Sequence, residues 1–436
     1  MSGADVGQRN ERPLQRILVD VSYTRTQRGN VGITRTVRKL FGALQEAQGE
    51  TGIPCVAVAF HSTGFRVAGP VTEKAPDQGR PVARLYRRLT GGRARGLAQQ
   101  LLPPSLLESA WALANRLTFD ALSAREPSLA VGPGDLLVLA DECWNYKVWE
   151  AAALARAQGA TVVLVLYDLI PLRQPQYCAP LFTRVFRPWL LKMAVHCDAV
   201  MCISRATAAD FQSFCQEQGV VPPPTSHFRL GCDLGTADVL GAIRESVAGF
   251  ADRPGPWFAV VGTIEPRKNH VLLLQVFERL WARGIDAGLF VAGRPHPGST
   301  DLIIRMQQHP EQGRRLLTLL DASDAEVSLA YSRCRALLFP TLAEGFGLPL
   351  VEARARGCTV IASSLPALLE LADEGVHYFA PDSASELEAL ILEQASSNQR
   401  HSPPPARAFS WRDSAAQFLA EVGRLPVGIG LGTQSA

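Results

Sequence analysis

The stretch that most constrains this chain runs from Ala336 to Gly357, A-L-L-F-P-T-L-A-E-G-F-G-L-P-L-V-E-A-R-A-R-G. Ala336 to Phe339 is a short apolar run that reads as a buried strand, and Pro340 ends it. Thr341 to Gly347 is a loop with Gly345 and Gly347 on either side of Phe346. Leu348 to Arg356 reads as a helix, with Pro349 in the first turn, where a missing N–H costs nothing. A strand thus feeds a glycine turn that opens a helix. Such a turn aims free backbone N–H groups and the positive helix end at one point, which suits an anion such as phosphate. Glu344 precedes the turn and Glu352 lies inside the helix. Helix rise plus a short loop places these carboxylates roughly 10 Å apart.

A chain of 436 residues exceeds one ordinary core, so two domains are expected. The net charge of +3 is too weak to argue for nucleic acid. Nine cysteines are scattered singly with no C-x-x-C pair, which speaks against a disulfide framework and a structural zinc site. A reducing cytoplasm is the expected compartment. Met1 to Arg16 is polar and lacks the apolar core of a secretory signal, and no apolar run reaches membrane-span length.

Strand and helix patterns alternate along the chain. Arg16 to Tyr23 reads as a strand, followed by a loop with Arg25, Arg28, Gly29, Asn30 and Gly32, then a helix from Ile33 to Glu46. Gly32 and Arg35 are candidates for an anion or acceptor site at that helix start; an ordinary strand–helix turn is the plain alternative. Ile53 to Phe60 is the next strand. Arg80 to Gly96 holds six arginines and no acid, and an apolar helical pattern follows to Leu122. Residues 80–122 fit a solvated helical excursion, or a basic apolar surface resting on anionic lipid. Asp135 to Ala140 and Thr161 to Leu166 are strands, the second delivering Tyr167 and Asp168 where α/β sheets place ligands. Asp168 could bind an acceptor hydroxyl, act as a base or simply close the strand. Trp144 and Tyr167 could stack on a sugar or pack in the core. Ala199 to Ile203 is a further strand, and Ser226 to Leu230 fits one more. Proline clusters at 220–224 and 253–256 mark the domain boundary.

The second half restarts the alternation. Trp257 to Ile264, Gly288 to Ala292, Leu316 to Leu320 and Thr359 to Ser363 read as strands, with helices at His270 to Arg283, Ser385 to Ala395 and Phe409 to Val422. The Gly-rich tail beyond is expected to be disordered. The overall expectation is an α/β chain of two doubly wound, Rossmann-like domains, 16–225 and 255–405, facing each other across a cleft. Gly262, Gly293 and Arg294 fall at strand ends in the second domain. Arg267 and Lys268 fall at a helix start, where the helix dipole disfavours cations, so an anion is expected between them. Two such cations would neutralise a leaving diphosphate without a metal, and no His/Asp/Glu cluster has metal-ligand spacing. His296 follows a glycine turn and is a further candidate. Carboxylates suit sugars because each accepts two hydroxyl hydrogen bonds. A sugar nucleotide, with hydroxyls at both ends and a diphosphate between, matches the Glu344–turn–Glu352 layout.

The chain resembles the retaining glycosyltransferases of family 4, which have the GT-B fold. The match is strongest from Val260 to about Leu371. There G-T-I-E-P-R-K-N-H, A-G-R-P, L-F-P-T-L-A-E-G-F-G-L-P-L-V-E-A and V-I-A-S-S follow the family's order. Glu344 and Glu352 meet its E-x7-E pattern. The resemblance implies that Glu344 contacts the donor sugar, Glu352 the nucleotide ribose, and Arg267 and Lys268 the diphosphate. It places Gly262, Gly293, Arg294, Gly345, Phe346, Gly347 and Leu348 on the donor side. Gly32-Ile33-Thr34-Arg35 looks like the family's N-terminal G-I-x-R, and Asp168 lies in a D-L-I-P segment of a mannosyltransferase-like branch that builds bacterial polysaccharide. Many members carry His where this chain has Tyr167. The last helix, about 409–424, is expected to cross back onto the first domain. The implied activity is metal-independent, retaining transfer of a sugar, expected to be mannose from GDP-mannose, to a saccharide or lipid-linked acceptor. It needs no cofactor and would run in the cytoplasm, on or near the membrane's inner face. A nucleotide-sugar hydrolase or epimerase and a non-catalytic nucleotide-sugar-binding scaffold stay open as alternatives.

Overall fold

Runs such as T-V-V-L-V-L at 161–166 are apolar on both faces, so as strands they need cover from both sides. The computed structural model meets that need twice. It describes residues 12–27, 32–71, 104–232, 241–396, 403–427 and 429–430. The chain forms two compact units, residues 1–231 with 411–436, and residues 232–410.

Unit 1 holds a seven-stranded sheet of β1 (Arg16–Asp20), β2 (Cys55–His61), β3 (Gly64–Val67), β4 (Asp135–Leu139), β5 (Thr161–Leu166), β6 (Ala199–Cys202) and β7 (Thr225–His227). The strand order is β3-β2-β1-β4-β5-β6-β7. Only β3 runs antiparallel, hairpinned to β2. Its helices are α1 (Gly32–Thr51), α2 (Pro104–Ser123), α3 (Val148–Ala157), α4 (Pro180–His196) and α5 (Arg205–Glu217). Strand residues Leu18, Val58, Leu137, Val162 and Leu164 share one core with Leu190 and Phe211 of these helices.

Unit 2 contains α6 (Glu245–Ala251), β8 (Trp257–Val261), α7 (His270–Ala282), β9 (Gly288–Ala292), α8 (Thr300–Gln307), β10 (Leu316–Leu319) and α9 (Asp324–Arg333). It continues through β11 (Leu337–Phe339), α10 (Leu348–Ala355), β12 (Val360–Ser363), β13 (Val376–Phe379) and α11 (Ala384–Ser396). Its sheet is wholly parallel, in the order β10-β9-β8-β11-β12-β13. The winding direction reverses between β1 and β4 in unit 1 and between β8 and β11 in unit 2. Such reversals leave a crevice at the carboxyl ends of the strands.

The last helix, α12 (Trp411–Arg424), belongs to unit 1. Its buried residues Trp411, Ala415, Phe418 and Val422 repeat at helical spacing. Phe418 meets Phe228 edge-on at 5.1 Å. Ser414 Oγ donates to Arg229 O at 2.7 Å, and Gln417 Oε1 accepts from Arg229 N–H at 2.9 Å. The approach to this helix is held by Arg354 of α10. Its buried guanidinium donates to Asp373 Oδ1 (2.7 Å), Cys358 O (3.0 Å) and Pro404 O (2.9 Å).

Several expectations change. The tail is ordered in part: Val427 is buried, its carbonyl accepts from Thr161 Oγ1 at 3.3 Å, and Ile429–Gly430 pairs in parallel with Arg12–Pro13. β3 and β13 lack a sequence signal because both lie at sheet edges, where one side needs no continuous apolar run. Residues 80–103 of the arginine-rich excursion, and residues 28–31 of the first glycine loop, lie outside the described residues. None of the nine cysteines is in a disulfide.

Candidate active site

The site in unit 2 is built where β8 and β11 diverge. After β8, Gly262 turns the chain with φ 141°. Its N–H donates to Ala292 O at 2.9 Å, and Ile264 N–H donates to Arg294 O at 2.9 Å. The loops after β8 and β9 therefore lie against each other. Gly293 permits this: a Cβ there would stand 1.9 Å from Gly262 O.

Pro266–Lys268 forms a single tight turn, and Asn269 then adopts a left-handed conformation (φ 55°, ψ 37°). Asn visits that region more readily than most residues because its short polar side chain can hydrogen-bond locally. Arg267 and Lys268 thus stand in the turn just ahead of α7, which begins at His270. The loop after β11 is stitched to them. Leu342 N–H donates to Arg267 O at 2.7 Å, Thr341 Oγ1 donates to Ala343 O at 3.0 Å, and Arg267 Nη1 donates to Ala343 O at 2.9 Å.

These contacts bring Glu344 onto both cations. Lys268 Nζ donates to Glu344 Oε1, and Arg267 Nη1 lies 3.4 Å from Glu344 Oε2. Arg267 Nη2 also pairs with Glu265 Oε1 at 2.8 Å. The Lys268 ammonium sits 4.9 Å over the ring of Phe339. The anion expected between the cations is thus supplied by the protein itself. The Glu344 side chain is only 11% exposed and that of Lys268 12%. Burial alone would push the Glu344 carboxyl up, but Lys268 and Arg267 outweigh it and hold it below the usual range. Burial moves Lys268 down from the usual ammonium range, with Glu344 opposing. His270 is buried behind them. Burial and Lys268 push its pKa down to about 3, so it is neutral.

Gly347 caps α10 in the left-handed region (φ 113°), where a Cβ would come within 2.6 Å of Leu368 Cδ2. Phe346 is buried, so it can offer a ligand only backbone. Leu348 is half-buried and Arg294 exposed. Glu352 is buried on α10 and accepts a hydrogen bond from Tyr331 Oη at 3.3 Å. Arg356 stacks 5.6 Å over the Tyr331 ring and donates to Glu352 O at 3.1 Å. His296 Nδ1 accepts from Gly298 N–H at 3.0 Å, a turn contact.

In unit 1, Gly32 opens α1 with φ 55° and is exposed, and Arg35 is half-buried on that helix. Asp168 Oδ1 accepts from Ile170 N–H at 3.0 Å, closing the turn after β5. Tyr167 is buried and donates to Ala140 O at 2.6 Å, so its hydroxyl is committed inward. Trp144 is half-buried and packs with Phe182, Phe186 and Trp189 at 5.3 to 5.7 Å, as the core-packing reading expects.

Sequence reasoning missed a buried acidic network at the β1/β4 reversal. Asp20 accepts from Tyr146 Oη at 2.5 Å and from Ser22 N–H at 3.1 Å. Asp141 accepts from Tyr23 N–H (2.7 Å), Thr24 N–H (2.8 Å) and Thr24 Oγ1 (2.8 Å), anchoring the loop that leads toward Gly32. Burial and the nearby Asp20 charge push Asp141 up to about 7; burial and Asp141 push Glu142 up to about 8. The strand-ending acids in L-V-D and L-A-D-E were the available signal.

Residues 247–404 match the family model described as glycosyl transferases group 1. The serotype-specific mannosyltransferase WbdA of Escherichia coli is 33% identical over 286 residues, 62% of this chain and 34% of that protein. The O-antigen chain mannosyltransferase RfbU of Salmonella typhimurium is 30% identical over 139 residues, 31% of this chain and 37% of that protein. The chain spans about a third of the length of these relatives. Sucrose-phosphate synthase from Thermosynechococcus elongatus superposes with a TM-score of 0.60 at 18% identity, over 93% of this chain and 98% of that one. The catalytic domain of starch synthase IV from Arabidopsis thaliana, bound to ADP and acarbose, gives 0.61 at 12%, over 95% and 99%. The fold is GT-B. In GT-B terms, the Arg267–Lys268–Glu344 cluster occupies the strand reversal of the C-terminal Rossmann-like unit. Among the described residues no helix is long and apolar enough to cross a membrane.

Proposed function

We propose that this chain is a family 4 glycosyltransferase that moves a hexosyl group, with retention, from a nucleotide-diphosphate sugar to a saccharide or lipid-linked acceptor in surface polysaccharide assembly. The observation that carries the reading is the convergence of Arg267, Lys268 and Glu344 at the β8/β11 reversal, within the residues matched by the glycosyl transferase model. Relatives named as mannosyltransferases favour mannose, and GDP-mannose is the first donor to test.

Arg267 and Lys268 neutralise the diphosphate as it leaves, the charge stabilisation that dominates such reactions. Backbone N–H groups from Gly345 to Leu348 face the same anion at the start of α10. Gly262, Gly293 and Arg294 line the donor loops. Glu344 takes the sugar hydroxyls, and Glu352 the ribose. Asp168, with Gly32 and Arg35, serves the acceptor side. The acceptor oxygen bonds to the anomeric carbon on the face that the phosphate oxygen leaves, and the acceptor's proton passes to that departing oxygen. Two protein cations take the place of a divalent metal, so activity should persist in EDTA.

Release of nucleoside diphosphate from a donor and acceptor panel tests the assignment, with product anomeric configuration read by NMR. Full activity in Glu344→Ala would overturn it. Cytoplasmic location at the membrane face is part of the proposal. The exposed Leu113 and Leu117 lie one turn apart on α2 and fit peripheral contact with anionic lipid. Failure to sediment with anionic liposomes would remove that element.

A further inference from the structure

Four charges meet at the β8/β11 reversal: Glu265 pairs with Arg267, and Glu344 pairs with Lys268 and Arg267. Their sum is zero. A nucleotide-diphosphate sugar brings two negative charges, one per phosphate. If Glu344 kept its place, the diphosphate would meet a neutral cluster whose nearest carboxylate repels it. If Glu344 moves off, the cluster is left at +1, with Lys268 freed of its carboxylate and Arg267 still shared with Glu265, and it attracts the diphosphate.

We propose that Glu344 is the resident counter-anion of the Arg267–Lys268 site, exchanged for the diphosphate on donor binding and returning when the sugar has left. This rests on the transferase reading above and concerns the control of the same site. The pair is nine-tenths buried, so neither charge can be left unpaired cheaply. The Phe339 ring under the ammonium keeps Lys268 in place while its partner changes. Glu344 follows Ala343 and precedes Gly345, so its backbone is free of a bulky side chain on the turn side. Once displaced, the carboxylate needs new donors. The hydroxyls of an intact donor supply them; a free nucleoside diphosphate does not. The exchange therefore makes the site favour the intact donor over the spent nucleotide. After transfer, Glu344 competes for Lys268 again and drives the nucleotide out.

The test compares wild type with Glu344→Gln by isothermal titration at low ionic strength. The probes are GDP, UDP and ADP, and the matching nucleotide sugars. Glu344→Gln removes the competing charge at nearly constant shape. It should bind the free diphosphate of the preferred base at least tenfold more tightly than wild type, and the nucleotide sugar less tightly. Equal or weaker binding of the free diphosphate by the variant overturns the exchange, and leaves the transferase reading standing. Absence of binding by either protein to any probe overturns both. The second measurement needs no variant. A structure of the wild-type protein with the diphosphate bound should show Glu344 away from Lys268, and one in which the Lys268–Glu344 contact persists overturns the proposal.

Discussion

Gly293 should be the least replaceable glycine of the donor site, for a reason of space. A Cβ on Gly293 would lie 1.9 Å from Gly262 O and 2.9 Å from Gly262 C, both backbone atoms that cannot rotate away. A carbon–oxygen contact of about 3.3 Å is needed, so the loops after β8 and β9 must part by about 1.4 Å. That motion strains three bonds: Gly262 N–H to Ala292 O, Ile264 N–H to Arg294 O, and Gly293 N–H to Leu319 O, each 2.9 Å. Overpacking costs about 1–3 kcal/mol and each of the three weakened bonds up to about 1 kcal/mol, so Gly293→Ala should lose about 1–6 kcal/mol. Gly262→Ala is the matched comparison. It has open space around it but φ 141°, and its cost is conformational, about 1–3 kcal/mol. Urea unfolding followed by circular dichroism, read on the unit 2 transition, gives both values. Donor KM should rise in Gly293→Ala, because the same loops carry Arg267 and Arg294. A Gly293→Ala protein within 0.5 kcal/mol of wild type, or more stable than Gly262→Ala, would refute the reasoning.

The acids of unit 1 set a pH dependence. Asp141 is raised from an ordinary carboxylate to about 7, so the folded state holds its proton where the unfolded chain has lost it. Its contribution is fully present below about pH 4 and is lost as pH rises through about 7, with a slope of up to about 1.4 kcal/mol per pH unit. The urea midpoint of unit 1 should fall between pH 5 and 8, and Asp141→Asn should flatten that fall; an unchanged slope would count against it. Arg354→Lys should cost about 3 kcal/mol or more, since one ammonium cannot reach Asp373, Cys358 O and Pro404 O together. Urea unfolding reads this cost, and a loss under 1 kcal/mol would show the guanidinium fork to be dispensable.

The donor loops are legible in sequence because their backbone demands particular residue types. Gly347 is needed for a left-handed cap against Leu368, Gly293 for contact with Gly262, and the apolar runs of β8, β9 and β11 for strands covered on both faces. The Lys268–Glu344 pair is a different kind of fact. Its members are 76 residues apart, and only the strand order that sets β8 beside β11 makes them neighbours. Sequence marks each as a candidate and cannot show that they neutralise each other. Phe346 illustrates the converse. It lies in the most informative stretch, yet its side chain belongs to the core.

Unit 1 delivers acids from three adjacent strands: Asp20 from β1, Asp141 and Glu142 after β4, and Asp168 after β5. In sequence they are single strand-ending acids among several, and Asp168 stands out only through its D-L-I-P context. Topology ranks them by what they already hold. Asp20 and Asp141 are enclosed by backbone and hydroxyl donors and fix the Tyr23–Thr24 loop, while Glu142 and Asp168 are half-buried at its margin. The two reversal points thus differ in kind. Burial raises the pKa of Asp20, Asp141 and Glu142 in unit 1 against the pull of their hydrogen bonds, whereas in unit 2 cations hold Glu344 down. An anionic ligand gains from replacing Glu344 on Lys268 and gains nothing at Asp141. Under the proposed function, the diphosphate is therefore directed to unit 2 by charge, and a neutral acceptor hydroxyl is the chemistry that unit 1 can take.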